Sequence, residues 1–533
     1  MFVSQNHADQ TYNEIIDFPE AQGMPSLLSA AGVILNAQVA AKCQSQRKQN
    51  VIPANPFPLG GREVGARDYE NLKNAALHSA DAARDENLLQ ADVQTFKAAA
   101  IFSSLRLPAD FAGPDELGWG PLESSLAAGP SHLIAVSTSS WAALNKAGES
   151  LLQCDLVDWF APLVIDDEEM SIFNPKAVYD QHTGRWMIVA CAWSESRVFD
   201  GLNSSFLIAV SQTRNPTGNW WGWRLNANLN GQDLTTYHAT SLGLGLDSHA
   251  VYLTANMFDR EGSFRYAKLR ILDKTPLLTG GEIPWFDFWN LRNPDDTPAF
   301  GVRPAHTFRA PGVEYLVNAT RDGKTLTLWS LKNLPNAEPQ LQRRAISTAE
   351  YHLPPNAPQA GTTRELDTGD TRIVNAVFRN GLLYAAHTVA ANWEEEENRS
   401  AIQWFQINPG AGKIVQHHIF GAQGYDYFCP TVMIDGQNNL VMVFNRSSAD
   451  EFPAIRFTGR LAIDTQNKLH ASSLLKNSIA PGPSAWGGYN GAALDPNDIK
   501  VWIIGKYPTA ESVGATWIGE TSFMSGQPEM KPK

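Results

Sequence analysis

The feature that most constrains this chain is a phrase that it repeats. FNPKAVYDQHTGRWMIVACAW (Phe173 to Trp193) runs an apolar segment into Asp180, turns through polar residues and restarts as an apolar run at Trp186. CPTVMIDGQNNLVMVF has the same form around Asp435, SLGLGLDSHAVYLTANMF around Asp247 and YNGAALDPNDIKVWIIGKY around Asp495. RPAHTFRAPGVEYLVNAT and RIVNAVFRNGLLYAAHTV keep the spacing without the aspartate, turning near Ala310 and Phe378. ESSLAAGPSHLIAVSTSSWAAL is a weaker copy that turns near Gly129. Each copy reads as a hairpin of two short strands. The turns recur every ~50–70 residues, the length of one four-stranded blade with its loops. Such a unit cannot bury both faces alone, and stacking units around an axis solves that problem. The spacing therefore predicts an all-β chain folded as a seven-bladed β-propeller. Aspartate at the turn is explained by backbone N–H groups donating to its carboxylate, which is a structural role.

Residues 1–107 have a different texture. MPSLLSAAGVILNAQVAAKC and ENLKNAALHSADAARDENLLQADVQTFKAAAIF are rich in Ala and Leu with apolar residues at helical spacing, and a Pro/Gly-punctuated linker joins them. This predicts an α-helical N-terminal extension over 1–107 and a propeller over 108–533. The last unit supplies three clear strands, NGAALD, KVWIIGKY and GATWIGETSF. The fourth is expected from residues 96–106, within FKAAAIFSSLRL, where it would close the ring. The helices would cover the channel mouth or brace the blade sides.

Apolar residues make up 43% of the 533 positions and charged residues 18%, which suits a large core and excludes disorder as the general state. A formal net charge of −13 without a basic run argues against nucleic acid as a partner. Cys43, Cys154, Cys191 and Cys429 stand singly, so reduced thiols are expected rather than a disulfide scaffold or a zinc site. The N-terminus lacks a basic segment followed by an apolar core, and polar residues dilute the uncharged run from Ala21 to Ala41. A cytoplasmic protein without a membrane partner is the expectation, although a secreted form with its leader removed fits the same residues. The sequence does not reveal an oligomeric state.

The YD…RW phrase, with SQTRNPTGNWWGW and WGGYNGAALDP, resembles bacterial seven-bladed propellers built on P-x-x-x-Y-D-x-x-x-x-R-W. The likeness covers about residues 110 to 525. A looser likeness is to the propeller enzymes that alkylate aromatic rings in cyclophane biosynthesis, which carry an extra N-terminal calcium-binding domain. No GGxGxD repeat or EF-hand loop occurs here, so calcium is not carried over. The resemblance implies a fold; propellers host many activities.

Ligands of propellers sit at the channel mouth, where the inner strands begin. Counting back about six positions from each turn gives Glu123, Asn174, Ser241, Arg303, Arg372, Cys429 and Tyr489, a largely polar ring. Arg303 and Arg372 fall on neighbouring blades. Two guanidinium groups repel unless an anion joins them, and Arg offers planar bidentate donors to a carboxylate or phosphate. Glu123 could instead neutralise one of them. Tyr489 could serve as a general acid or base if the arginines lowered its pKa, or could plug the channel. Arg303, Arg372 and Tyr489 are thus the catalytic candidates, with Glu123, Asn174, Ser241, His238 and Cys429 as ligand-binding candidates. His238, His306 and His387 lie near inner strands at unequal offsets from their turns, so no metal site is expected, and no cofactor is implied. TRDGKTLTLW has the wrong spacing for a sialidase turn motif. NWEEEENRS reads as a solvated hairpin tip. FDFWNLRNPDDTPAF, Phe286 to Phe300, reads as a loop that could close over the mouth or dock a partner. The expectation is an enzyme acting at the mouth on a small anionic or aromatic molecule, aromatic alkylation being one candidate reaction. The alternative is a non-catalytic ligand- or protein-binding module.

Overall fold

The computed structural model describes residues 22–25, 29–42, 62–78, 83–84, 97–102 and 123–523, the last span without 166–169, 197–200, 309–311, 333–337, 394–396 and 510–513. Glu394, Glu395 and Glu396 of the acidic tip, most of the linker and the helical expectation over 85–96 lie outside the described residues.

The described chain is all-β, built as the blades of a β-propeller. The first antiparallel meander runs Ser124–Ala128, His132–Ser137, Ser140–Asn145, Ser150–Asp155. The second runs Ser171–Asp180, Arg185–Ser196, Gly201–Ser211, Asn219–Asn226. The third is His238–Leu246, Ala250–Phe258, Phe264–Asp273, Trp285–Trp289. Further meanders begin at Arg303–Thr307, Ala376–Arg379, Asp426–Ile434 and Gly491–Leu494. Each inner strand stands against the inner strand of the next meander, and Gly491–Leu494 returns to Ser124–Ala128. Arg303–Thr307 even pairs in parallel with Ala376–Arg379. The inner strands thus form the wall of a central channel.

The blades are apolar on both faces because a neighbour covers each. Trp186, Trp223, Trp329, Trp404 and Trp502 sit fully buried within or between them. Trp141, Trp159 and Trp220 meet edge to face at centroid distances of 4.9 to 5.8 Å. Burying rings of this size removes large apolar areas from water and dominates such a core. The turn aspartates act locally. Asp247 Oδ1 accepts from the backbone N–H groups of His249 (2.7 Å) and Ala250 (2.9 Å), and Asp435 Oδ1 from those of Gln437 and Asn439 (both 2.9 Å). Asp180 does more, since the buried Lys274 ammonium lies 2.9 Å from its Oδ2 and ties the second blade to the third.

Two expectations change. The stretch after Met24 is not one helix. Gln22–Pro25 pairs antiparallel with Trp285–Trp289, and Val33–Asn36 with Asn219–Asn226, each adding a fifth, outer strand to a blade. Only Ala37–Lys42 is helical there. The reason is tertiary. An open blade edge offers unpaired N–H and C=O groups, and Val33, Ile34 and Leu35 suit a strand. Gly23 permits the approach, because a Cβ there would lie 2.6 Å from the Phe288 ring. The second change is that FDFW is not a loop tip. Trp285–Trp289 is the fourth strand of its blade, and its buried Asp287 takes two bonds from Arg270, at 2.8 and 2.6 Å.

A helix, Ala66–Leu77, lies on the loop that leads into the fifth meander. Tyr69 donates to Asp367 Oδ1 at 2.9 Å, and the buried Lys73 ammonium donates to Thr368 Oγ1 (2.7 Å) and Gly369 O (2.9 Å). Asn398 holds the helix end, its Nδ2 donating to Ala76 O at 2.7 Å. Lys97–Phe102 pairs antiparallel with the last strand, Gly514–Ser522, from Ile518 to Ser522. No helix among the described residues is long and apolar enough to cross a membrane.

Candidate functional site

The ring positions come together where the inner strands begin, and their backbone explains why. Asn174 (φ 49°), Ser241 (φ 57°) and Cys429 (φ 56°) all adopt the left-handed conformation. The strand register slips beside each of them, between Val189 and Cys191 opposite Asn174, and at Thr240/Gly243 and Phe428/Thr431. These three inner strands therefore bulge at the ring position, next to Asn174, Ser241 and Cys429. Glu123, Arg372 and Tyr489 precede their strands instead of lying on them.

Once assembled, the ring bonds largely to itself. Asn174 Nδ2 donates to both oxygens of Glu123, at 2.7 and 2.9 Å, while its Oδ1 accepts from the Ser241 N–H at 2.8 Å. The Tyr489 hydroxyl lies 2.8 Å from Glu123 Oε2 and 2.9 Å from Pro175 O. Arg303 donates through Nε to Ile373 O at 3.0 Å and through Nη1 to Ser241 O. Arg372 donates to Ser241 Oγ at 3.0 Å, but its main partner is Asp370, at 2.6 and 2.5 Å. Arg62, just ahead of the Ala66–Leu77 helix, pairs with Asp367 and approaches Asp370 to 3.7 Å. Cys429 turns its thiol to Gly487 O at 3.3 Å. His238 is not in the ring. It sits in a blade between Trp193 and Phe258, with ring centroids 6.0 and 6.1 Å away. His387 bridges Thr371 O (2.7 Å) and Gln403 (2.8 Å), and His306 faces Gln181 at 3.1 Å. Among the described residues no group of three or more His, Cys, Asp or Glu is placed to hold a metal ion.

The open space lies below this ring. A cavity of about 470 Å³ follows the inner strands from Lys176, Arg303, Thr431 and Asn490 down to the turns at Gln181 and Asp498, where exposed Pro130 and Arg214 border it. Lys176 is two positions beyond Asn174 on the same strand, past the bulge, and lines this cavity. Its ammonium lies over the Tyr489 ring, 2.9 Å from the centroid. Among the described residues no carboxylate bonds to Lys176 or to Arg303. Glu123 is close enough to favour the charge of both, yet its oxygens serve Asn174 and Tyr489.

Burial sets the electrostatics. It raises the Glu123 pKa above the usual carboxylate range, against the bonds from Asn174 and the nearby Lys176. Burial, then the neighbouring Arg303, pushes Lys176 well below the usual lysine value. Burial and Arg372 bring Arg303 down to about 10. Tyr489 goes well up, through burial and the Glu123 charge, opposite to the lowering that acid–base work by the phenol requires. Asp370 is held low: burial would raise it, but the Arg372 guanidinium overrides.

Sequence counting missed Lys176 and Asp370. Asp370 was within reach of the pattern, by its place two residues before Arg372 in GDTR, whereas the bulge at Asn174 breaks the alternation that would lead to Lys176. A second cavity, of about 250 Å³, lies between the Ala66–Leu77 helix and the blades, lined by Glu63, Tyr69, Arg321, Tyr351 and Arg372.

The sequence matches no protein-family profile and no curated protein. Solved structures with a similar course include a Trypanosoma rangeli sialidase mutant displaying trans-sialidase activity (10% identity, TM-score 0.36, covering 66% of this chain and 54% of that one). A Dyadobacter fermentans protein of unknown function (9%, TM-score 0.34, 67% and 95%) is another. The α-L-arabinofuranosidase of Fusarium graminearum is a third (11%, TM-score 0.34, 66% and 93%). The match spans about half of the sialidase chain. Likeness at this level transfers no residue and no activity.

Proposed function

We propose that the protein is a seven-bladed β-propeller enzyme, closed by a strand from its N-terminal extension, that acts on a small anionic molecule inside the central channel. The observation that carries this reading is the pair Lys176 and Arg303. Two cations line one end of a water-accessible channel, and no described carboxylate is bonded to either. An anion entering there gains two charged donors whose desolvation the fold has already met. The overall charge of −13 makes such a channel the favoured place for an anion on this molecule. Enzymatic use is supported by the opposed shifts at one site: a carboxyl raised at Glu123 and an amine lowered at Lys176, the pattern of tuned acids and bases. Arg303, a catalytic candidate from the sequence, serves in this reading as the anchor for the anion. Arg372 and Tyr489 become positioning residues, because their polar atoms are already engaged.

A second reading, a non-catalytic ligand-binding propeller, is favoured by the ring itself, whose mutual hydrogen bonds describe a rigid plug. Thermal denaturation separates anion binding from a mere scaffold. Benzoate, pyruvate and inorganic phosphate are titrated against wild type and against the Lys176→Met/Arg303→Gln double variant. A bound anion at a hundredfold excess over Kd stabilises by about 2.7 kcal/mol, and that gain should vanish in the double variant. No shift with any anion, or an equal shift in both proteins, overturns the reading.

A further inference from the structure

We propose that Lys176 is an imine-forming residue, and that the anionic molecule is a small carbonyl acid whose carboxylate binds Arg303 while its carbonyl carbon meets the Lys176 amine. The inference rests on the channel reading above and adds a reaction to it. Its basis is geometric. Lys176 stands on a bulged inner strand and lines an open cavity, with its ammonium over the Tyr489 ring. That ring is fixed by the Tyr489 hydroxyl at Glu123 (2.8 Å) and Pro175 O (2.9 Å), and Pro175 directly precedes Lys176. Arg303 is fixed by two backbone carbonyls, Ile373 O and Ser241 O, which hold its guanidinium without neutralising it. An amine beside a fixed guanidinium, in a desolvated wall that still opens to water, is the setting in which a lysine becomes a nucleophile. The lowering of the Lys176 pKa agrees with this setting.

The step balances without a further reagent. The resting ammonium releases a proton to channel water, and the amine lone pair forms a C–N bond to the carbonyl carbon as the C=O π electrons move to oxygen. That oxygen takes up protons and leaves as water, giving an iminium. Ammonium plus carbonyl becomes iminium plus water, with no change of oxidation state. The positive nitrogen next to a carboxylate-bearing carbon then serves as an electron sink, while Arg303 keeps the acid group in register.

The test is reductive trapping. The protein is incubated with glyoxylate as the charged probe, or with propionaldehyde as the uncharged one, reduced with borohydride and mapped by peptide mass. Glyoxylate should label Lys176 before the exposed Lys413 and Lys468. Labelling at 176 should be lost in Lys176→Met and Lys176→Arg, the second keeping the charge so that a folded control is at hand. Arg303→Gln should lose the preference for glyoxylate while propionaldehyde still reaches Lys176. Labelling of Lys176 no faster than the exposed lysines overturns the imine. If anions still stabilise the protein in that case, the channel reading survives alone; if they do not, both fall.

Discussion

Lys176 and Arg303 are cations that the fold withdraws from bulk water without giving either a bonded carboxylate, whereas Arg372, a ring neighbour, has Asp370. That contrast yields a prediction about stability. Asp370→Asn leaves Arg372 buried beside a neutral amide, and breaking one partner of such a pair costs about 3 kcal/mol. Urea denaturation should show this loss, and a change below about 0.5 kcal/mol, the scale of a neutral surface substitution, speaks against the pairing. His238 offers a second test. Burial lowers its pKa to about 4, so between an unfolded value near 6.5 and that figure the unfolded chain binds a proton that the folded one refuses. Stability contributed by neutral His238 is therefore full above pH ~6.5 and lost as pH falls toward 4, by on the order of 3 kcal/mol. His238→Phe, which suits the space between Trp193 and Phe258, should flatten that acid limb; an unchanged slope contradicts it. At this scale the repeat made the ring legible, since one count from each turn finds residues that meet in space. It did not reveal their partners. Asp370 acts through a loop fold, and the burial that changes Lys176 from a surface charge into a channel amine arises only when the blades close.

At the level of elements, three of the inner strands bulge at the ring position, beside Asn174, Ser241 and Cys429. The left-handed residues Asn174, Ser241 and Cys429 lie on the second, third and sixth meanders, each beside a register slip of its inner strand. The helix Ala66–Leu77 acts on this frame from outside, through Lys73 on Thr368 and Gly369 and through Arg62 on the Asp367–Asp370 turn. Lys73→Met should orphan those buried oxygens at about 2 kcal/mol and speed hydrogen exchange across residues 366–372, the turn that presents Arg372. Unchanged exchange there would show that the helix is only a passenger. The hairpins were readable because apolar runs, turn residues and Asp recur together. The outer strands were not. MPSLLSAAGVILN fits helix and strand alike by local pattern, and the open edge of Asn219–Asn226 that selects the strand is supplied from nearly two hundred positions away.

For the whole molecule, a segment from before the first meander pairs with the last one. Lys97–Phe102 lies against Gly514–Ser522, while Gly491–Leu494 stands beside Ser124–Ala128. Removing residues 1–96, which takes away the two outer strands and the Ala66–Leu77 helix but keeps Lys97–Phe102, should leave a cooperative fold. Removing 1–102 should strip the last sheet of its outer strand and lower or broaden the thermal transition, followed by circular dichroism. Equal transitions for the two truncations would contradict closure by that strand. The channel is the product of this closure, and its cationic end is the proposed anion site. The most direct measurement is a crystal of the full chain soaked in 4-bromobenzoate, with data collected at the bromine edge. An anomalous peak is expected inside the channel, with carboxylate density within hydrogen-bond reach of Lys176 Nζ and the Arg303 guanidinium. Bromine peaks confined to exposed arginines, with only water between Lys176 and Arg303, would contradict it.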